Sequence, residues 1–263
     1  MASSPLQNHP PPPPPSPTNN NLPQGTPESN AHAVHKYILS QPQDALLNNP
    51  WAVYQALDLY SRTAHMMNFK QAKLNVAQKA LSSMQPFPKV VLEFGTYIGC
   101  SAIAWAAILR DLNGPFAEGL HVYTFEVDEA VAAIARDFIK IAGVDDIVHV
   151  LVGPASESLK ALIAEDKITP KGVDMAFFDH WEEFYLSDLQ LCEDLDLFHE
   201  GSRVIADNTD IPGAPNYLAY VREGGRGGEG EVRFETHSYE SEVGGNGRRP
   251  NIVEVSTVVA ARL

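Results

Sequence analysis

Phe177-Phe178-Asp179-His180-Trp181 and, farther along, Ile205-Ala206-Asp207-Asn208 each read as an apolar strand ending on oxygen-bearing side chains. In an open α/β sheet the carboxyl ends of the strands border the ligand crevice. Two such ends side by side bring Asp179, Asp207 and Asn208 together as three hard oxygen donors. That is the donor set a protein offers Mg²⁺, with the rest of its octahedron left to water and substrate. The plainer reading is that these residues cap the helices that follow, as Asp and Asn often do.

Outward from this stretch, strands alternate with helices from Pro88 onward. Val90–Phe94 reads as a strand and Gly99–Arg110 as a helix. His121–Glu126 and Asp128–Ala142 repeat the pair, as do Ile147–Val152 and Ser156–Glu165. Val173–Asp179, Glu182–Asp194 and Ser202–Asp207 follow. This rhythm is that of βαβ units on a parallel sheet. The order then changes. Ala214–Arg222 reads as a helix and Gly224 to Gly230 as a glycine-rich loop, and Val232–His237 and Ile252–Ala260 read as strands with no helix between them. They predict an antiparallel hairpin at one sheet edge, interrupted by a flexible Gly244–Arg249 loop.

Upstream, His32 to about Met84 carries a helical pattern without a strand signal. Val34, Tyr37 and Ile38 share a face, and Trp51, Tyr54, Leu57 and Leu59 follow the Asn49-Pro50 start signal, with Gln71–Leu81 next. Residues 1–30 hold ten of the twenty prolines, including the run Pro10 to Pro15. So little apolar surface cannot repay the entropy of ordering, and a disordered tail with polyproline II character is expected. Such a tail is passive or docks an SH3-like or WW-like module. The expected organisation is a Pro-rich tail at 1–30 and one domain at 31–263. Within the domain, a helical cap at 31–84 precedes an α/β core at 88–263.

A chain of 263 residues with 44% hydrophobic side chains suits one such domain. Thirty-three acidic against nineteen basic side chains give a formal charge of −14. That argues against a nucleic-acid partner, which would need a basic face, and argues weakly against polyanionic substrates such as CoA esters. Cys100 and Cys192 follow no metal-ligand spacing and read as free, buried thiols of a reducing compartment. The N-terminus lacks the basic start and apolar stretch of a signal peptide, and the longest apolar run, Ala102 to Leu109, is too short to span a bilayer. A cytoplasmic monomer without a membrane or nucleic-acid partner is the expectation.

Val90-Val91-Leu92-Glu93-Phe94-Gly95-Thr96-Tyr97-Ile98-Gly99 reads as strand, turn and helix start. The glycines suit a tight turn that lets backbone approach a ligand. Their spacing, Gly-x-x-x-Gly, departs from the Gly-x-Gly-x-x-Gly of dinucleotide binders, so a pyrophosphate cradle is poorly supported. Glu93 would repel a phosphate and attract a cation. S-adenosylmethionine, with a sulfonium and an amino group and no phosphate, fits better. Glu126 ends the second strand, where a carboxylate can accept both ribose hydroxyls. Alone it would be an exposed strand-end charge. Ser156 could reach the adenine or serve as a plain N-cap. Trp181 could stack on adenine or face a cation.

With these residues in view, the chain resembles the catechol O-methyltransferase family. The resemblance runs from about His35 to the C-terminus. It is carried by Leu-Glu-Phe-Gly-Thr-Tyr-Ile-Gly-Cys-Ser at 92–101, Phe-Asp-His-Trp at 178–181 and Ala-Asp-Asn at 206–208. Ile-Pro-Gly-Ala-Pro-Asn-Tyr-Leu-Ala-Tyr-Val-Arg at 211–222 and Met67-Asn68 add to it. It implies a Rossmann-like class I methyltransferase fold, seven strands in the order 3-2-1-4-5-7-6 with the last antiparallel. It implies S-adenosylmethionine and Mg²⁺ as cofactors and a catechol or related aromatic diol as substrate. Asp179, Asp207 and Asn208 would hold the metal. Glu126 would bind ribose, with Ser156 and Glu157 at the adenine. Met67, Tyr97, Ser101, His180 and Trp181 would surround the methionine part and the adenine, with Glu93 and Gly95 in the cofactor turn. Pro212 would wall the catechol slot, which Asn208 also borders.

Three positions depart from the family pattern. Glu182 stands where the family has its catalytic lysine, and His65 where it has a wall tryptophan. Glu240 or Glu242 would stand in for the glutamate that holds the second hydroxyl. A carboxyl, with a reference pKa near 4.3 against about 10 for a phenol, is a weaker base than a lysine whose pKa a nearby cation lowers. Glu182 therefore acts as a slower base or points to solvent as an ordinary first-turn acid. His180 and His65 are alternative bases, or plain packed histidines. His65 also suggests a wider, more polar slot than a simple catecholamine needs. Glu182 leaves open a second reading, a cofactor-binding protein without turnover that acts through its tail. An NAD-dependent oxidoreductase, the third, is disfavoured by the glycine spacing and by Glu93.

Overall fold

A computed structural model describes residues 25–64, 66–241 and 252–261. Seven strands form one sheet in the order β3-β2-β1-β4-β5-β7-β6. They are β1 Val90–Phe94, β2 His121–Glu126, β3 Val148–Val152, β4 Val173–Phe178, β5 Phe198–Ala206, β6 Arg233–Glu240 and β7 Ile252–Ala260. The first five run parallel, and β7 is antiparallel to both β5 and β6. The expected sheet order and terminal hairpin are both present, and β7 lies inside β6.

Side chains alternate across the strands, so each central strand feeds two cores. Val91, Val122, Phe177 and Ile205 face a layer of α1 Pro27–Ser40, α3 Pro50–Ser61, α4 Gln71–Ser82, α5 Cys100–Asn113 and α6 Glu129–Ala142, with the one-turn α2 Gln43–Leu46 between the first two. Leu92, Phe94, Phe178 and Ala206 face α7 Ala155–Ala164, α8 Tyr185–Asp194 and α9 Pro215–Arg222. Trp105, fully buried on α5, packs edge-on against Phe177 at 5.1 Å between ring centres. The helical cap is therefore part of one face of the sheet rather than a separate body.

Several boundaries differ from those read in the sequence. α1 starts at Pro27, inside the stretch assigned to the tail. The Thr26 side chain accepts the Ser29 N–H at 3.2 Å, and Pro27 takes the first helical position, where a missing N–H costs nothing. Residues 1–24 lie outside the described residues, as does the Gly244–Arg249 loop. β5 starts at Phe198, not Ser202. Glu200-Gly201 reads as a break, but the pairing with β4 shifts register between Val173 and Met175. Ser202 bridges the irregularity, its hydroxyl donating to the Val173 carbonyl at 2.8 Å and accepting from the His199 N–H at 3.0 Å. Glu182–Phe184 is a 3₁₀ turn ahead of α8. Both cysteines are free and buried. Among the described residues, no helix is long and apolar enough to cross a membrane.

Candidate functional site

Register assembles the site. Phe94, Phe178 and Ala206 are aligned on three adjacent strands, so Gly95, Asp179 and Asp207 follow as neighbours just past the strand ends. The Asp179 N–H donates to the Phe94 carbonyl at 2.9 Å, and the Asp207 N–H to the Phe178 carbonyl at 3.0 Å. A Cβ on Gly95 would lie 2.5 Å from the Asp179 carbonyl oxygen, so this turn can approach the acidic strand end only as glycine.

Asp179, Asp207 and Asn208 face one another. The Asn208 amide donates to Asp179 Oδ1 at 3.3 Å, and the Asn208 N–H to Asp207 Oδ1 at 2.8 Å. Asn208 adopts a left-handed backbone, and its side chain makes no helix-capping bond. The capping alternative is not what the structure shows: Trp181 occupies the cap position of the turn after β4, also without a capping bond.

A fourth residue, unforeseen in the sequence, completes the cluster. Lys73 reaches in from α4, and its ammonium donates to Asp207 Oδ1 at 2.6 Å and to Asn208 Oδ1 at 3.4 Å. Lys73 and Asp207 are both buried. The signal lay in helical spacing, since Lys73 shares an i, i+4, i+8 stripe with the buried Ala77 and Leu81. Lysine on a buried stripe calls for a buried acid. Loss of solvent pushes the Asp179 carboxyl well above the usual range, with the Asp207 charge adding and the Lys73 ammonium opposing. Asp207 is raised too, again by burial, against the pull of Lys73.

The glycine turn and β2 are tied together by Glu126. Its Oε2 accepts the Tyr97 N–H at 2.8 Å, and its Oε1 accepts the Val127 and Asp128 N–H groups at 2.9 and 3.0 Å. The carboxylate is thereby held at the end of β2, and burial raises its pKa. The Gly95 and Thr96 N–H groups both reach the Phe125 carbonyl at 3.2 Å. Ser101 is buried on the first turn of α5. Tyr97 donates its hydroxyl to the Pro27 carbonyl at 3.0 Å, linking the turn to α1.

Glu93 takes a different role from the cofactor contact expected of it. It is fully buried beneath the turn, where Oε1 accepts from the Trp105 indole at 2.9 Å and Oε2 from the Thr124 hydroxyl at 2.6 Å. Both oxygens are engaged by protein donors, so Glu93 braces β1 against α5 and β2. Burial pushes its carboxyl up to about 7, against those same hydrogen bonds.

His180 is a packed histidine. Its ring stacks on Tyr185 at 5.1 Å, and Nε2 bonds Asp188 at 2.9 Å, while Nδ1 is buried without a partner. Ser156 is not an N-cap either, because α7 starts at Ala155 with Pro154 before it. Glu157 is exposed on the same first turn. Met67 and Trp181 are exposed, and Pro212 is exposed in the turn Thr209–Gly213. Glu182 is half-buried and close enough to Asp179 for its charge to raise that carboxyl. Glu240 ends β6, exposed and paired with Ile252. His65 and Glu242 lie outside the described residues.

The residues present fit a divalent cation. Two carboxylates and an amide oxygen converge, all hard donors, on a strand-end crevice. They also fit an adenosyl ligand with an amino-acid tail, since a held carboxylate at β2, a close glycine turn and the orphaned atom His180 Nδ1, one residue past Asp179, stand at the strand ends.

The chain is similar to known methyltransferases in sequence and in fold. A family model described as a methyltransferase domain matches residues 92–209. Catechol O-methyltransferase of Bos taurus is 34% identical over 200 residues, covering 76% of this chain and 67% of that protein. The Mus musculus protein of the same name is 33% identical over 200 residues, covering 76% and 69%. The structure of an O-methyltransferase from Bacillus cereus in complex with SAH superposes with a TM-score of 0.57 at 20% identity, covering 88% of this chain and 99% of that one, a likeness of fold.

Proposed function

The chain belongs to the catechol O-methyltransferase family of S-adenosylmethionine-dependent methyltransferases, and on that premise we propose that it methylates one hydroxyl of a catechol or related aromatic diol with the help of Mg²⁺. The observation that carries the reading is the juxtaposition of Asp179, Asp207 and Asn208 just past the ends of β4 and β5. Relatives named for catechol methylation support the substrate class.

In this reading Asp179, Asp207 and Asn208 hold the ion, which when bound acidifies and aligns a phenol. Glu126 accepts the ribose hydroxyls, with its orientation already set by three backbone N–H groups. Ser156 and Glu157, at the start of α7, border the adenine. Met67, Tyr97, Ser101 and Trp181 enclose the methionine part, and Pro212 and Trp181 wall the acceptor. Alignment of acceptor oxygen and methyl by these walls is worth several kcal/mol by effective-molarity arguments. Glu182 receives the acceptor's proton at the rim and passes it to water. As a carboxylate it is a weaker base than an amine, so the proton step is slower than with lysine.

The test is S-adenosylhomocysteine formation by the purified chain with S-adenosylmethionine and a panel of catechols, in Mg²⁺ or EDTA. Turnover that disappears with EDTA and returns with Mg²⁺ is expected. Turnover indifferent to EDTA would remove the metal from the proposal. Cofactor binding without turnover on any catechol would remove the substrate class.

A further inference from the structure

His35, His180, His199 and His237 each pair with a carboxylate. His121 and His149 instead pair with each other. His121 opens β2, His149 lies on the neighbouring edge strand β3, and His121 Nδ1 stands 3.1 Å from His149 Nε2. Tyr123 projects from the same face of β2 as His121 and is in register with His149. Its ring stacks on both imidazoles, at 5.6 Å from His121 and 5.1 Å from His149 between ring centres. Both imidazoles are half-buried. Packing thus orients them, and the open side of β3 leaves them in reach of solvent. The pair is remote from the crevice, since His121 and Glu126 stand at opposite ends of β2, about 16 Å apart along an extended strand.

The separation of the two nitrogens is that of one shared proton. Two imidazole nitrogens on one tetrahedral metal stand about 3.3 Å apart, given metal–nitrogen bonds of about 2.05 Å. A metal can therefore take the proton's place after a small opening of the pair. We propose that His121 and His149 form a second cation site, for a divalent transition metal such as Zn²⁺ or Cu²⁺, with water in the remaining positions. Imidazole suits these ions, whereas Mg²⁺ takes oxygen donors, so the pair and the oxygen cluster select different metals. Burial lowers the pKa of both rings. Lys167 adds to this at His121, and His121 and Lys167 add to it at His149 against the pull of Asp146. Both rings are then neutral at pH 7, the form that ligates metal. The Lys167 charge also opposes a cation, so the site takes its metal through nitrogen donors and not through its field. Among the described residues no third His, Cys, Asp or Glu completes the set, so the metal is exchangeable, unlike that of a closed four-ligand site. A metal joining β2 to β3 pins the edge strand, and by binding only the folded pair it stabilises the fold.

The experiment titrates ZnCl₂ into the metal-free full chain, with Mg²⁺ in excess to compete at the oxygen cluster. One equivalent of Zn²⁺ is expected to bind and to raise the melting temperature. His121→Asn and His149→Gln are each expected to weaken that binding by about tenfold or more. Melts of the metal-free proteins show whether a variant has lost its fold rather than its ligand. Electron paramagnetic resonance of the parent chain with one equivalent of Cu²⁺ needs no variant, and should show coupling to two imidazole nitrogens. Zn²⁺ affinity within twofold of the parent in both folded variants would overturn the site. A Cu²⁺ spectrum with oxygen ligands alone would do the same.

Discussion

The Lys73 ammonium lies 2.6 Å from Asp207 Oδ1, deep enough that both side chains are almost entirely out of water. The oxygen cluster thus carries its own monovalent counter-ion from a helix on the far side of the sequence. Breaking a buried pair strands the remaining charge, which costs about 3–5 kcal/mol. Lys73→Met should lower the unfolding free energy by about that amount without metal. A divalent cation would then relieve two uncompensated carboxylates, so Mg²⁺ should raise the melting temperature of the variant more than that of the parent chain. Thermal melts with Mg²⁺ and with EDTA check both parts. An equal Mg²⁺ shift in the two proteins would mean that Lys73 and the ion do not share these oxygens.

Glu93 provides a pH signature of the fold. Its carboxyl is pushed from 4.5 up to about 7 by complete burial. The folded chain therefore holds this proton more tightly than the unfolded one. The contribution is fully present below about 4.5 and is lost as pH rises through about 7, an effect on the order of 3 kcal/mol. The Thr124 hydroxyl, which donates to ionised Glu93, can instead accept from the protonated acid and turn its own hydrogen toward Thr96 Oγ1 at 2.6 Å. Glu93→Gln, neutral at every pH, should remove this slope. Urea unfolding of both proteins at pH 5, 6, 7 and 8 measures it: the variant should gain on the parent as pH rises across that window. A constant difference between the two would rule the assignment out.

Much of the architecture was legible because it follows from periodicity. Apolar runs ending on Gly95, Glu126, Asp179 and Asp207 gave strand ends that lie on one edge of the sheet. What escaped was set by contacts distant in sequence. Lys73 reaches Asp207 from α4, and although its helical stripe marks it as buried, nothing local to either residue names the partner. The orientation of Glu93 was misjudged because alternation does not say which side of a turn a buried acid braces. Its partners Trp105 and Thr124 lie on different elements. β5 was read too short because Glu200-Gly201 breaks the apolar run, while Ser202 repairs the ladder through its side chain. β6 runs on to Glu240 through largely exposed polar residues, since pairing with β7 rather than burial sustains it.

Gly95 tests the close approach of turn and strand end. Its φ of 102° is one that L side chains rarely adopt, and a Cβ would also meet the Asp179 carbonyl oxygen at 2.5 Å. Gly153 has a comparable φ of 122° with no atom within 4 Å of the added Cβ. Gly153→Ala should cost only backbone strain, about 1–2 kcal/mol. Gly95→Ala should cost about 2–4 kcal/mol and displace Asp179, weakening S-adenosylhomocysteine binding as well. Urea unfolding paired with calorimetric titration of both variants separates strain from clash. Equal losses in the two proteins would show that the contact with Asp179 is easily relaxed.

Glu126 offers the most direct test of the cofactor assignment, because three backbone N–H groups already fix its carboxylate. Oε2 accepts the Tyr97 N–H of the glycine turn, and Oε1 accepts the N–H groups of Val127 and Asp128. In Glu126→Gln one of those oxygens becomes an NH₂ that points at a backbone donor. Either way round, at least one N–H loses its acceptor, at about 1 kcal/mol or less where the loss falls on the solvent-exposed Val127 and Asp128 groups. The same substitution replaces an acceptor of ribose hydroxyls with a donor. The two losses act on one ligand, so S-adenosylhomocysteine should bind roughly tenfold to a hundredfold more weakly. Glu126→Asp keeps the charge but shortens the arm, and should fall between the two. Isothermal titration of S-adenosylhomocysteine into the three proteins reads this without any acceptor or turnover. Affinity of Glu126→Gln within twofold of the parent would mean that the strand-end carboxylate organises the turn and leaves the ribose to other groups.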